Sequence, residues 1–317
     1  MPEIQVAQGY PNDKLAGYIK THYSPRLLEA IHQRTYLGQM TTNSFYDGII
    51  EMGDTVTIAR SPKVHTEPYV EGGDYTFESS AEKPINLTIN RGRQWSKFLD
   101  DKTLKRTHIK TLISDILNTA TLQIAEDQET EYFGEFGTFV PTCNMGTSAG
   151  IKSHAYNLGT LDHPVIVDKT NVLDWLQQFT SVINETGVKN ASNNRCVVIP
   201  EVVSYLLNIS PNLRNASEIG GKSSLRTQYL TELPAIGRIY SSNLLGRLPN
   251  GAFPVICQTR EAMAYATVAK DSKVVEPSNK HGKFARGYVI YDWDPVREEG
   301  LAIGYAKADG PTFQNVA

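Results

Sequence analysis

Two stretches combine residue types and spacing that could carry chemistry. Gly146-Thr147-Ser148-Ala149-Gly150 fits G-x-S-x-G, in which a serine on a sharp strand-to-helix turn acts as a nucleophile. That turn needs an apolar strand before it and a helix after it. Thr142-Cys143-Asn144-Met145 is a poor strand, and Ile151-Lys152-Ser153-His154 is a poor helix start. Asp162 and His163 follow, but a triad is assembled in space and not by adjacency in sequence. Gly221-Lys222-Ser223 ends like a phosphate-binding loop, yet the pattern requires glycine where Ala216 stands, and no buried strand leads into it. The 7 histidines include no pair at metal-ligand spacing and no HExxH. Asp100-Asp101 reads as a helix cap, and Asp292 and Asp294 as solvated carboxylates at a turn. The expectation is therefore no catalytic, cofactor-binding or metal-binding residue, no cofactor and no enzyme. A hydrolase using Ser148 is kept only as the reading from another class.

Composition sets wider bounds. With 40% hydrophobic and 21% charged residues, the 317-residue chain is a folding sequence rather than a disordered one, long enough for about two domain-sized units. Lys+Arg 31 against Asp+Glu 34 leaves a net charge of -3, which argues against a dedicated nucleic-acid-binding protein with its basic patch. It does not argue against a container whose wall faces DNA. Cys196 and Cys257 lie in apolar, strand-like runs and read as buried thiols; Cys143 makes the number odd. The opening residues lack the basic start and apolar core of a signal peptide, and no apolar run has membrane-spanning length.

The elements that would have to position any site are unusual in their order. Residues 1–47 read as an arm with one short amphipathic pattern at Leu27, Leu28, Ile31 and Tyr36. Thr55-Val56-Thr57-Ile58 and Ile85-Asn86-Leu87-Thr88-Ile89 alternate with period two, so each is a strand with one buried face. Between them 63–83 is poor in large apolar residues and turns at Gly72-Gly73-Asp74, giving a long hairpin whose base packs and whose tip does not. A helix over 101–133, capped by Asp100 or Asp101 and stopped by Gly134, carries an apolar stripe of Leu112, Ile113, Ile116, Leu117, Ala120 and Ile124. It would be about 50 Å long at ~1.5 Å per residue, a spine rather than a packing helix. Then comes an α/β block. A helix capped by Thr170 or Asn171 carries Val172, Leu176, Phe179 and Ile183, and Gly187 ends it. A buried strand follows over 195–199, then a helix begun at Pro200, and strands at 236–240, 253–257 and 263–268. The chain closes with alternating runs at 286–293 and 301–307, read as a hairpin.

An arm, a long hairpin, a spine helix, a compact α/β unit and a return hairpin together resemble the major capsid (coat) proteins of tailed bacteriophages, the Hong Kong phage-type fold shared with encapsulins. The phrases that carry the likeness are Gly53-Asp54-Thr55-Val56-Thr57-Ile58, Leu87-Thr88-Ile89-Asn90 running through Phe98-Leu99-Asp100-Asp101, Ile236-Gly237-Arg238-Ile239-Tyr240-Ser241-Ser242-Asn243, and Gly287-Tyr288-Val289-Ile290-Tyr291. They look closest to coat proteins of podophages and their relatives that assemble with a separate scaffolding protein.

The resemblance implies an α+β fold with an N-arm (1–47), an extended β-hairpin loop (48–92), a peripheral domain with its spine helix (93–164, helix 101–133), an axial α/β domain (165–285), and a return hairpin with C-terminal tail (286–317). It implies a structural subunit that builds pentamers and hexamers of an icosahedral virion shell around double-stranded DNA, assembled in the bacterial cytoplasm. Its partners would be itself, a separate scaffolding protein, a portal protein and a decoration protein, with no sequence-specific DNA contact and no membrane. An encapsulin-type nanocompartment is the alternative within the fold. The expected assembly-interface residues are Arg60, Glu67, Glu71, Asp74, Glu78, Glu82, Lys83, Arg91 and Arg93, the charges in and beside the hairpin.

Overall fold

A computed structural model describes residues 35–42, 51–59, 66, 68–69, 71, 84–100, 112–187, 194–211, 232–233, 236–276 and 281–309. Three sheets organise them. The smallest is the antiparallel pair β1 (Thr55–Ile58) and β2 (Ile85–Thr88), with Val56 opposite Leu87 and Ile58 opposite Ile85. The second has the order β3-β10-β9, where β3 is Arg91–Asp100, β9 is Met263–Val275 and β10 is Gly282–Pro295. The third is six-stranded, in the order β4-β11-β8-β5-β7-β6. Its strands are β4 (Val165–Val167), β5 (Arg195–Ile199), β6 (Glu232–Leu233), β7 (Gly237–Ser241), β8 (Phe253–Thr259) and β11 (Leu301–Ala308). Among the described residues four α-helices accompany the sheets: the single turn α1 (Leu37–Met40), the long α2 (Leu112–Phe139), α3 (Val172–Glu185) and α4 (Glu201–Asn208).

The pattern of β5 explains how the six-stranded sheet is covered. All of Arg195-Cys196-Val197-Val198-Ile199 is buried, as a strand with both faces packed must be. Val197 and Ile199 join the core made with Leu176, Phe179 and Ile183 of α3 and Val203 and Leu207 of α4. Cys196 and Val198 face the opposite core, made with Tyr132, Phe133, Phe136 and Val140 at the end of α2. A third, smaller core seats the base of the hairpin: Ile58, Leu87 and Ile89 pack on Ala264, Ala266 and Ile290 of the three-stranded sheet. The hairpin thus hangs on the molecule by one apolar face.

Several sequence expectations change, among them Asp292, which is buried within β10 beside Arg91 and not solvated at a turn. The helix expected over 101–133 is found over Leu112–Phe139, and 101–111 lie outside the described residues. It runs through Gly134 because Phe136 and Val140 are buried beyond it, and it ends at Phe139, two residues before Pro141, whose ring disfavours helix in the residue that precedes it. The stretch after Asn90 is the ten-residue strand β3, which ends at Asp100; the expected cap at Asp100 or Asp101 falls outside what is described, as do 101–111. The cap of α3 is Asp168, whose Oδ1 accepts from the Thr170 and Asn171 amides at 2.7 and 2.9 Å, while Asn171 makes no side-chain cap bond to the helix. The 286–293 and 301–307 runs do not form a hairpin with each other. Strand β10 pairs with β3 and β9, and β11 with β8 and, in parallel, β4. In consequence β9 leaves the α/β block for the three-stranded sheet, and β11 completes the six-stranded one.

Candidate assembly interface

The hairpin's base is fixed in the third core, and two of the described residues beyond it lie in solvent. Tyr69 is 82% exposed, and Glu71 is exposed. Arg60, Glu67, Asp74, Glu78, Glu82 and Lys83 fall outside the described residues. An aromatic ring left in water, on a segment with five carboxylates against two lysines between 63 and 83, is a surface suited to contact with another chain.

Arg91 and Arg93 have partners within the chain. Both lie on the face of β3 turned to α2, two residues apart as strand alternation requires. The Arg91 guanidinium donates to both carboxylate oxygens of Glu135 at 2.8 Å, lies 3.2 Å from Asp292, and stacks 4.4 Å from the Trp293 ring. Arg93 pairs with Glu131 and, at 3.3 Å, Asp127. Tyr291 closes the set by donating to the Glu131 carboxylate at 2.6 Å. The hydrogen bond to Glu135 holds the Arg91 guanidinium above its ordinary pKa. Burial pushes the Glu131 carboxyl up, but the Tyr291 hydroxyl and Arg93 outweigh it and keep it below the usual range. Burial and the bond to Glu131 push the Tyr291 phenol up to about 12. The cluster clamps the strand leaving the hairpin onto the long helix.

On the opposite face of the three-stranded sheet, the hairpin base is the cover among the described residues, and it lies at one end. At the other, Phe98 and Phe284 face each other with ring centroids 6.5 Å apart, and Phe98, Tyr288 and Val275 are 37%, 44% and 41% exposed. Gln94, Ser96, Phe284, Arg286 and Tyr288 line an open groove of about 510 Å³ here. Arg286 of the groove opposes Lys273 across β10 and β9, which puts a second basic residue at the same register position beside it.

A site residue that the sequence reading missed is Glu129. It lies inside the apolar stripe of α2 (Ile124, Gln128, Tyr132, Phe133, Phe136) and has no exposed surface. Its Oε2 accepts from the Tyr36 amide at 2.5 Å and the Leu37 amide at 3.0 Å. Burial pushes its carboxyl from 4.5 to about 7, against the pull of those two amides and the Ser242 hydroxyl. An acid on the buried stripe of an otherwise apolar helix face was the available signal.

The chemical look-alikes have ordinary settings. Ser148 is exposed in a turn that follows a three-residue 3-10 helix, Thr142–Asn144, and Asp162 and His163 are exposed in a bend. Lys222 and Ser223 lie outside the described residues. Cys196 and Cys257 are buried, and burial pushes the Cys257 thiol up to about 12. Among the described residues no group of His, Cys, Asp and Glu could hold a metal ion, and no helix is long and apolar enough to cross a membrane.

No protein-family profile and no curated protein matches the sequence. Solved structures do. A chain of Mycobacterium phage Che8 is 15% identical, with TM-score 0.64 over 90% of this chain and 96% of that one. The capsid of the cyanophage P-SCSP1u gives 14% identity and TM-score 0.62 over 96% and 100%. The mature capsid of bacteriophage PhiM1 gives 13% and 0.61 over 92% of each chain. The holo-SrpI encapsulin complex of Synechococcus elongatus PCC 7942 is also similar, with 10% identity and TM-score 0.53 over 94% and 95%. At these identities the likeness is one of backbone, and it spans nearly the whole of each chain. The chain has the tailed-phage capsid fold, the fold that encapsulins share.

Proposed function

We propose that this chain is a major capsid protein: a structural subunit, not an enzyme, that assembles with copies of itself into the pentamers and hexamers of an icosahedral phage shell around double-stranded DNA. The observation that supports it most is the match to phage capsid structures over nearly the whole of each chain. In this reading 1–47 is the arm, 48–92 the extended loop, and the three-stranded sheet with α2 the peripheral part. The six-stranded sheet with α3 and α4 is then the axial part. The charges of the hairpin, Arg60, Glu67, Glu71, Asp74, Glu78, Glu82 and Lys83, face neighbouring subunits. The groove carrying Arg286 offers them complementary charge on a second copy. Arg91 and Arg93 serve assembly by holding the strand that presents the hairpin. A separate scaffolding protein, a portal protein and a decoration protein complete the set of partners. Assembly takes place in the bacterial cytoplasm and the product is the virion.

Expression of the chain with the scaffolding gene from its own genome, followed by sedimentation and electron microscopy, tests the proposal. Closed particles with five- and six-membered rings are expected. A protein that stays monomeric at high concentration under those conditions contradicts it. The encapsulin likeness supports a second reading, a protein-filled compartment. Particles that form without scaffolding and co-purify with one stoichiometric protein cargo would select it.

A further inference from the structure

The segment 36–42 lies against the core, and most of its grip comes from main-chain groups bonded to residues far away in sequence. Glu129 takes the Tyr36 and Leu37 amides. The Gln258 side-chain amide donates to the Met40 carbonyl at 2.8 Å, and the Arg260 guanidinium to the Thr41 carbonyl at 3.2 Å. The Thr42 amide donates to the Met263 carbonyl at 3.1 Å, and the Thr42 carbonyl accepts from the Tyr265 amide at 3.0 Å. Tyr36, Leu37 and Met40 are buried, and the Tyr36 ring packs 4.6 Å from that of Tyr240.

Glu129 stands out among these holds because it is a carboxyl in an apolar site with one oxygen, Oε1, lacking a hydrogen-bond partner among the described residues. Among the described residues the groups that face it are neutral. On α2 they are Gln128, bonded to Tyr265 at 2.9 Å, and Tyr132, bonded to Gln258 at 2.6 Å. From the end of β7 they are Tyr240 and Ser242, and from β5 it is Cys196, buried beside Tyr132. Arg260 is directed at the Thr41 carbonyl and is not among the groups that shift the Glu129 carboxyl. A buried carboxylate with no counter-charge is costly, so the protonated form fits the site better.

We propose that Glu129 is a proton-operated latch, holding segment 36–42 on α2 when protonated and loosening it when the proton is lost. The sign follows from linkage. The docked carboxyl titrates near 7, against 4.5 for an exposed one, so undocking releases a proton. The latch's contribution is complete below about pH 4.5 and is lost as the pH rises through about 7. This property belongs to the subunit and does not depend on the proposed shell.

Amide hydrogen exchange on the full-length chain, corrected for the intrinsic rate at each pH, reads it directly. Protection of the amides in 36–42 should fall about 70-fold from about pH 5 to about pH 8, while those of β8 do not follow. Glu129→Gln keeps an oxygen for both amides and removes the proton, so its protection should be flat. Ser242→Ala keeps the carboxyl and removes a group that favours its charged form, so the midpoint should move to higher pH. Flat protection in the unaltered chain overturns the latch, as does a slope shared by β8 or an unmoved midpoint in Ser242→Ala. If Glu129→Gln does not fold, the Ser242→Ala shift and the β8 control still decide the matter.

Discussion

Arg91 and Arg93 were expected at an interface from their place beside the hairpin, and the structure gives each a set of carboxylates on its own subunit. Sequence could show two arginines at strand spacing but not that Asp127, Glu131 and Glu135, one helical turn apart on α2, stand across from them. The clamp predicts that Arg91→Ala destabilises the unassembled subunit by about 1–2 kcal/mol, because a bidentate, ring-stacked guanidinium is worth more than an exposed ion pair. Arg91→Lys should recover only part of this, since an ammonium cannot fork onto Glu135. Denaturant unfolding of the unassembled subunit makes the measurement, and an unchanged midpoint would return Arg91 to a purely intersubunit role. Glu129 was legible as an acid on the buried stripe of α2, but its role was not. Its partners are backbone amides, which no side-chain pattern announces.

At the scale of elements, what sequence made legible was whatever buries one face locally. The alternation of β1 and β2, the helical stripe of α3 and the continuous apolar run of β5 each predict their own burial. Strand β3 hid because neither of its faces is apolar: Arg91 and Arg93 meet the acids of α2, and Gln94, Ser96 and Phe98 face the open groove. The false hairpin has a different cause. Period two identifies a strand and says nothing about its partner, and β10 and β11 belong to different sheets. The end of α2 was misplaced because a glycine in a helix costs about 1 kcal/mol and was read as a stop, whereas tertiary packing carries the helix past it. Two glycine substitutions separate these readings by sign. A methyl group on Gly134 would meet nothing within 4 Å, so Gly134→Ala should raise subunit stability by about 0.5–1 kcal/mol. Gly304 in β11 admits no methyl group, since it would sit 2.5 Å from the Leu158 carbonyl oxygen and the Phe179 ring, and Gly304→Ala should cost about 2–3 kcal/mol. Denaturant midpoints test both. Loss of stability in Gly134→Ala would mean that α2 ends where the sequence placed its stop.

For the molecule as a whole, the order of elements was readable while the contacts between copies were not, since one sequence carries no record of its neighbours. The account rests on a division of labour. Among the described residues three cores fold the chain, and Tyr69 and Glu71 beyond the hairpin's base are exposed and belong to none of them. An exposed ion pair between copies would be worth only about 0–1 kcal/mol, but a shell would repeat every contact many times over. Replacing 67–83 by a short Gly-Ser turn, and following the variant by thermal melt and electron microscopy side by side, tests this most directly. The account predicts a cooperative melt close to that of the unaltered subunit and no stable shells. Normal shells from the shortened chain would contradict it.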